Sequence, residues 1–276
     1  MQDLETLYLL DTSLTKKYLS QDEKITLAKT FEKINIDIIE IPANDKDLAS
    51  EIVENIKDTT IAVSTILAKD KIDEAINLIK NAAQKRLRLI LTPELYEDFD
   101  LNDNTNKKDL VKMVKDSITY SKSQIEDIEF IIIINDKIHR LFLFKLIESA
   151  AEAGAKTVTI ADKEGKIIPY ELTELFKETF ISMPDIENLI IGTSCNNKLG
   201  MASANTVAAI IEGSRQVEVT AIASCISNDS ASLQDILRTH KFRKDLLKVK
   251  LNLNPEGCPN TCEITKKLLH HIFCET

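Results

Sequence analysis

The sequence lacks any apolar run long enough to cross a membrane, since no stretch of about 18 apolar residues occurs in its 276 residues. Its first residues, MQDLETLY, also lack the basic segment and apolar core of a signal peptide. Glycine and proline are scarce, with six of each, and no linker rich in Gly, Pro or Ser occurs. We therefore expect a cytoplasmic protein without a membrane span and without a domain break before residue 240.

Clustered basic residues are also missing. The formal net charge is −9 and the sequence pI is near 5.1, with lysines scattered among acidic residues. Phosphate binding needs a concentrated basic face, so nucleic acid is not an expected partner. The five cysteines are an odd number in a reducing compartment and are interpreted as free thiols.

Short apolar runs alternate with longer segments of helical periodicity, which is typical of repeated strand-helix units around a parallel sheet. Each run is nearly all apolar, as in strands that are buried on both faces. Eight runs are predicted as strands: 6–10, 36–41, 60–63, 87–91, 128–134, 157–160, 189–192 and 217–221.

Local signals agree with these boundaries. Ser20 and Glu23 form a capping pattern before the first helix, and Pro169 suits a first helical turn. Gly154 and Gly213 follow predicted helices, where a left-handed residue is needed. Eight units favour a closed barrel, although the count alone also allows an open Rossmann-like sheet.

Several motifs recur in a fixed order along the first 235 residues or so. They are LLDTSL at 9–14, IEIP at 39–42, DKIH at 136–139, DKEGKIIP at 162–169 and GTSCNNKLG at 192–200. In this order they resemble the motifs of the homocitrate synthase and 2-isopropylmalate synthase family. These HMGL-like metallolyase barrels condense an acyl-CoA with a 2-oxo acid.

The resemblance implies the fold class α/β, a (β/α)8 TIM barrel over residues 1–240 with a short C-terminal extension. Residues 241–276 are expected to form a helical tail that packs on the barrel. It also implies that Asp11, Asp136, Asp162 and Asn196 lie at one end, because active sites of such barrels lie at the carboxyl ends of the strands.

The chain departs from the family at the positions that carry its chemistry. The resemblance places the two metal-binding histidines at Ser194 and Asn196, so Asp11 is the only retained family ligand. His139 stands at the family arginine after strand five, and Lys163 at its threonine after strand six. The catalytic arginine after strand one and the loop after strand eight are not matched by residues 15–18 and 222–230.

No metal is therefore expected at the barrel mouth, and no other cofactor is expected. One carboxylate with neutral oxygens from Ser194 and Asn196 would give at most a weak divalent metal site. Catalytic residues are unknown. The candidates share a place at the predicted mouth and are Asp11, Asp136, His139, Asp162, Lys163, Cys195, Asn196 and Lys198.

Two of these candidates have alternative interpretations. Cys195 could be a nucleophile whose thiol pKa is lowered by Lys198, or a residue that packs in the core. His139 with Asp136 could be a base and its orienting carboxylate, or a polar pair at a helix start.

The tail carries the residue types of a zinc site without its usual compact spacing. These residues are Cys258, Cys262, His270 and Cys274. The alternative interpretation is that they bind no metal and that the cysteines are reduced thiols on a C-terminal helix. The tail is also shorter than the domains that follow the barrel in full-length family members.

Three hypotheses follow, and whether the chain is an enzyme is left open. The first is a non-catalytic barrel that supports a catalytic relative in a condensing enzyme of the homocitrate synthase type. The second is a metal-independent enzyme on the same barrel, and the third is a protein that binds a small carboxylate or acyl-CoA.

The first hypothesis predicts a homo-oligomer or a hetero-oligomer with a catalytic relative. Pairing would need apolar positions on the outward face of a helix. The segment Phe142, Phe144, Leu146 and Ile147 is unusually apolar for an outer helix, and we expect part of it to face outward.

Overall fold

The computed structural model describes residues 4–254 except 98, 100, 102, 136–137, 184–187 and 223–229. Its centre is a barrel of eight parallel strands, each predicted from an apolar run. The strands are β1 (Tyr8–Asp11), β2 (Ile38–Ile41), β3 (Thr60–Ile66), β4 (Lys85–Leu91), β5 (Ile128–Ile133), β6 (Thr157–Asp162), β7 (Ile190–Cys195) and β8 (Gln216–Thr220).

The barrel is closed because β8 pairs with strands on both of its sides. Tyr8 to Asp11 of β1 align with Gln216 to Val219, and Gly192 of β7 aligns with Gln216. The predicted (β/α)8 barrel is thereby confirmed, and the open Rossmann-like alternative is wrong.

Helices connect consecutive strands on the outside of the barrel, and two further helices follow the last barrel strand. In chain order they are α1 (Gln21–Lys33), α2 (Lys46–Asn55), α3 (Lys69–Ile79), α4 (Pro93–Glu97), α5 (Asn104–Lys122), α6 (Arg140–Glu152), α7 (Pro169–Ser182), α8 (Ala202–Ile211), α9 (Leu233–Phe242) and α10 (Lys244–Leu247). In the part of the chain that the structure describes, no helix is both long and apolar enough to cross a membrane.

The predicted helix boundaries are confirmed by their caps. Ser20 and Glu23 form a reciprocal capping box at the start of α1, and Pro169 is the first residue of α7. Gly154 and Gly213 follow α6 and α8 with φ of 101° and 114°. Left-handed residues of this kind end helices because they turn the chain back toward the next strand.

The apolar side chains of α6 face inward. Phe142, Phe144, Leu146 and Ile147 are all buried, and α6 packs against α5 and against β6. The apolar character of this segment is therefore explained by packing within the chain, and the expectation that it faces outward is wrong. Leu141 is the residue of this helix that is most exposed, at 82%.

The strands are buried on both faces, but their two faces differ in chemistry. Outward-facing side chains such as Leu9, Ile39 and Val63 join the main core under the helices. Inside the barrel, Leu10, Ile38 and Ala62 form a small separate apolar group. The prediction of nearly all-apolar strands is wrong for the inward face, where Arg88, Glu129 and Glu218 are buried.

Short segments complete the two ends of the barrel. Ala231–Ser232 pairs with β8 at the carboxyl ends, and Val249–Lys250 pairs with Glu5–Thr6 at the amino ends. Asn252 then donates a hydrogen bond of 2.7 Å to the Asp37 carboxylate. The rest of the expected helical tail, with Cys258, Cys262, His270 and Cys274, lies outside the described residues.

Candidate active site

A column of alternating charges runs up the inside of the barrel. We define the charged column as Arg86, Glu129, Arg88, Glu218 and Lys163. Along it, contacts between opposite charges measure 3.6 Å from Arg86 to Glu129, 3.1 Å from Glu129 to Arg88, 2.9 Å from Arg88 to Glu218 and 2.7 Å from Glu218 to Lys163. The column ends at the mouth, the carboxyl end of the barrel.

Neighbouring polar groups complete the hydrogen bonding of the charged column. Arg88 also binds Glu40 of β2 at 2.7 Å, and Arg86 binds Asp127 at 3.0 Å. The Glu129 carboxylate accepts hydrogen bonds from Thr159 at 2.7 Å and Gln216 at 2.9 Å. These ion pairs and hydrogen bonds are needed because an unpaired buried charge destabilises the folded state by several kcal/mol.

The column keeps its acidic members ionised. Burial alone would raise the pKa of Glu218, but the charges of Lys163 and Arg88 outweigh it and hold that pKa well below its usual range. Burial acts on Glu129 in the same direction and is likewise outweighed, chiefly by Arg88, so its pKa is lowered. The pKa of Arg88 is raised well above its usual value by the surrounding carboxylates despite burial.

Asp11 ends β1 at the mouth with both carboxylate oxygens bound to backbone. One oxygen accepts from the Ser13 N–H at 2.7 Å and the other from the Ala221 N–H at 2.8 Å. Burial raises the Asp11 pKa to about 6, although these hydrogen bonds oppose the shift. The Asp11 carboxylate thus joins the loop after β1 to the end of β8.

Asp162 and Asn196 organise the neighbouring loops. The Asp162 carboxylate accepts from the Gly165 N–H at 2.8 Å and the Ile167 N–H at 3.0 Å. Asn196 donates its backbone N–H to the Asp162 carbonyl and accepts from the Lys198 N–H at 2.9 Å. Asp11, Asp162 and Asn196 therefore lie at one end of the barrel, as predicted, whereas Asp136 lies outside the described residues.

Lys163 follows β6 and turns its ammonium group into the mouth. Its Nζ donates to the Ser194 hydroxyl at 2.8 Å and to Glu218 at 2.7 Å. Ser194 is buried, while the Lys163 side chain is 39% exposed. The position that the resemblance gives to a metal-binding histidine is thus in contact with a positive charge.

These residues do not fit a divalent metal. Ser194 offers a hydroxyl that already accepts from an ammonium group, and the Asn196 carboxamide oxygen binds backbone. Metal ions of this class prefer imidazole or several carboxylates. Among the residues that the structure describes, no three His, Cys, Asp or Glu side chains are grouped to hold a metal ion.

The remaining candidates lie in different surroundings. Cys195 is buried, and burial raises its thiol pKa to about 11, so the alternative in which Lys198 lowers that pKa is wrong. Lys198 is exposed at the mouth. His139 is exposed at the position before α6, and its side chain caps no backbone N–H there. Its proposed partner Asp136 cannot be placed beside it from the described residues.

Sequence reasoning named Lys163 as a candidate but missed the other four members of the charged column. Glu40, Arg88, Glu129 and Glu218 were counted within apolar strands and were not named as site candidates. The signal was present, because a charge inside a strand that is buried on both faces must meet an opposite charge. In the stretch KRLRLIL the two arginines are two residues apart and therefore share the inward face.

The fold and site together define a parallel eight-stranded barrel with a polar mouth at the carboxyl ends of its strands. The HMGL-like family model matches residues 12–254, and the chain belongs to this family. Its relatives include 2-isopropylmalate synthases.

Two relatives illustrate the sequence similarity. The 2-isopropylmalate synthase of Vibrio atlanticus is 30% identical over 269 residues, which cover 95% of this chain and 50% of that enzyme. The enzyme of Brevibacillus brevis is 26% identical, with coverage of 96% and 54%. The chain thus spans about half the length of these relatives.

Solved structures share the fold at lower sequence identity. HMG-CoA lyase from Bacillus subtilis has a TM-score of 0.70 and 15% identity, covering 97% of this chain and 92% of that one. The hydroxymethylglutaryl-CoA lyase from Pseudomonas aeruginosa also has a TM-score of 0.70, with 14% identity and coverage of 96% and 98%. These similarities concern the fold alone.

Proposed function

We propose that this chain is a non-catalytic or partner-dependent barrel subunit of an enzyme that condenses an acyl-CoA with a 2-oxo acid. Its reaction would be of the homocitrate synthase type, and the chain would act with a catalytic relative. Membership in the HMGL-like family and the 2-isopropylmalate synthase relatives support the class of reaction. The residues at the mouth support the lack of independent catalysis.

The observation that carries this proposal is the contact of Lys163 with Ser194. A condensing site of this class needs a Lewis acid to polarise the substrate oxygens, and its cation needs free coordination positions. The ammonium group at the mouth instead donates hydrogen bonds to Ser194 and Glu218. Asp11 is fully buried and its two oxygens bind backbone N–H groups.

The energies that a metal and an oxyanion donor supply predict a large loss of condensation rate without them. A metal acting as a Lewis acid supplies several kcal/mol, and one missing oxyanion donor costs about 3–4 kcal/mol. Losing both would slow a condensation by roughly five or more powers of ten. A catalytic partner is therefore needed if the chain takes part in such a reaction.

Activity and size measurements on the same preparations test the proposal. The purified chain alone should release no thiol from acetyl-CoA with a 2-oxo acid, and should run on a sizing column above its 31.0 kDa mass. Mixed with a complete relative that carries both metal-binding histidines, it should co-elute and increase the activity of the relative. Thiol release by the chain alone, or a monomer that changes nothing in the mixture, would contradict the proposal.

A cleft beside the mouth favours a second candidate function, the binding of a small carboxylate or acyl-CoA. This cleft has a volume of about 320 Å³ and lies between the loops after β5 and β6. Its lining carries two cations, Arg140 and Lys166, beside the acidic side chains of Asp162, Glu164 and Glu171. Arg140 also pairs with Glu178, and Lys166 with Glu164, so a carboxylate ligand would have to compete with these ion pairs. A metal-independent reaction could use the same cleft.

Thermal shifts separate this second candidate from the first. A ligand that binds in the cleft should raise the melting temperature of the wild type and not that of Arg140→Ala. Acetyl-CoA and 2-oxoglutarate are suitable probes. No shift with either compound, together with co-elution with a relative, would favour the subunit over the binding protein.

A further inference from the structure

The ammonium group of Lys163 lies in a site that is built from buried oxygen atoms. Its acceptors are the Ser194 hydroxyl at 2.8 Å and one Glu218 oxygen at 2.7 Å, and both residues are buried. The same Glu218 oxygen accepts from Ser230 at 3.1 Å. Two buried side chains, one from β7 and one from β8, therefore contact the ammonium group, and Ser230 binds the same Glu218 oxygen.

The local charge requires a cation at this point. The single guanidinium group of Arg88 contacts three carboxylates, those of Glu40, Glu129 and Glu218. Arg86 also approaches Glu129, but it forms a closer pair with Asp127. Glu218 would therefore share one buried arginine with two other carboxylates if Lys163 were absent, and a buried carboxylate with too little positive charge is strongly unfavourable.

We propose that the Lys163 ammonium group is a tethered cation that takes the place of the divalent metal at the mouth of the barrel. This inference rests on the proposed function in one respect: both take Ser194 to stand at a metal-ligand position of the family. The mouth is thus a binding site for a primary ammonium ion, and the Lys163 side chain of the same chain occupies it.

This replacement changes what the mouth can bind. A metal ion offers several open positions, whereas an ammonium group offers three N–H donors and no acceptor. Two donors of Lys163 are used by Ser194 and Glu218. Among the described residues no acceptor of the third donor is found, so it could hold one oxygen of a carbonyl or carboxylate ligand but could not chelate it.

Chemical rescue tests the proposal. Lys163→Ala removes the three outer methylene groups and the ammonium group, which together correspond to n-propylammonium. The variant should melt at least roughly 3 °C below the wild type, because the buried Glu218 carboxylate loses a counter-ion. n-Propylammonium chloride should restore at least half of that loss at constant ionic strength, whereas sodium chloride and n-propanol should not.

Two variants control this experiment. Lys163→Met keeps most of the side-chain stem and fills the space, so it should lose stability without rescue by n-propylammonium. Lys198→Ala removes an exposed lysine at the same mouth and should show neither effect. Equal stability of Lys163→Ala and the wild type would overturn the proposal, as would an equal response of all three variants to n-propylammonium.

A measurement on the unaltered chain decides the matter if Lys163→Ala does not fold. Limited acetylation followed by peptide mass spectrometry should modify Lys163 at least tenfold more slowly than Lys198, because its ammonium group is paired with Glu218. Equal modification rates would contradict the tethered cation. These outcomes are independent of the proposed function, which fails instead if the chain condenses acetyl-CoA by itself.

Discussion

Asp11 is a buried carboxylate that joins the first and last strands of the barrel. Its side chain is fully buried at the end of β1, and its oxygens bind the N–H groups of Ser13 and Ala221. The Ser13 hydroxyl also accepts from the Ala221 N–H at 3.0 Å. The residue therefore stabilises the closure of the barrel between β1 and β8.

Burial of Asp11 predicts a dependence of stability on pH. Its folded pKa of about 6 lies above its usual value of 3.8, so the folded state binds the proton more tightly. The associated stability is present below the unfolded pKa and is lost as the pH rises through about 6. Between about pH 5 and pH 7.5 the wild type should lose about 1–1.5 kcal/mol relative to Asp11→Asn.

Urea denaturation of both proteins across this pH range measures the difference. The variant serves as the reference because asparagine does not titrate there. A constant difference between the two proteins would show that the Asp11 pKa is not raised.

Arg88 is the residue on which the charged column depends. It contacts Glu40, Glu129 and Glu218 from the centre of the barrel and is almost completely buried. Arg88→Met should destabilise the chain by about 3–5 kcal/mol, because buried carboxylates lose their counter-ion. Denaturant unfolding monitored by circular dichroism measures this loss.

A surface ion pair provides the control for Arg88. Arg243 pairs with Asp245 at 3.3 Å with both side chains more than half exposed. Arg243→Met should cost less than about 1 kcal/mol, because exposed pairs contribute little. Similar losses for the two variants would mean that the charged column does not hold the barrel together.

At the scale of elements, the loops after β6 and β7 are packed closely against each other. Gly165 has φ of 64°, and a side chain there would come within 2.8 Å of Lys198 Cβ and 2.9 Å of the Asn196 carboxamide oxygen. This contact fixes the loop that begins at Lys163, so the tethered cation depends on a glycine two residues away.

Gly200 provides a matched comparison for Gly165. It also has a positive φ, 71°, but a side chain there would meet nothing within 4 Å. Alanine at either position costs similar backbone strain, so Gly165→Ala should be less stable than Gly200→Ala by about 1 kcal/mol or more. Thermal unfolding of both variants checks this difference. A larger loss in Gly200→Ala would contradict the packing described for the two loops.

The elements were largely predictable from the sequence, while the contents of the barrel were not. Apolar runs and helix caps such as Ser20 and Pro169 are local signals, and the motif order selected the barrel. The carboxylate partners of Arg88 are 41 to 130 residues away along the chain. Such contacts are fixed only when the barrel closes, so strand patterns alone could not identify them.

The mouth was predicted in part. Asp11, Asp162 and Asn196 lie together as expected, and Ser194 lies between β6 and β8 side chains. The pairing of Lys163 with Ser194 and Glu218 could not be derived from their spacing, because it depends on the direction of a long flexible side chain after β6. The burial that raises the Cys195 pKa likewise depends on packing of β7 against α8.

At the scale of the whole molecule, the outer helices carry exposed apolar side chains that a partner could cover. Leu141 on α6 and Tyr170 and Ile181 on α7 are 82%, 70% and 79% exposed. We expect Leu141→Asp combined with Ile181→Asp to reduce assembly with the chain's own copy or a relative, since buried apolar area drives association. Sedimentation velocity measures the change.

The matched control for assembly is Phe242→Asp on α9. This side chain is also exposed, at 67%, but lies on a helix beyond α8. It should leave assembly unchanged. Equal effects of the α6–α7 and α9 substitutions would place the interface elsewhere.

The central claim is that the mouth of this barrel does not work through a divalent metal of its own. Titration with Mn²⁺, followed by the electron paramagnetic resonance of the free ion, measures binding directly on the complete chain. We predict no tight stoichiometric site, and the same weak binding in the wild type and in Asp11→Ala. One tightly held Mn²⁺ per chain that is lost in Asp11→Ala would contradict the account.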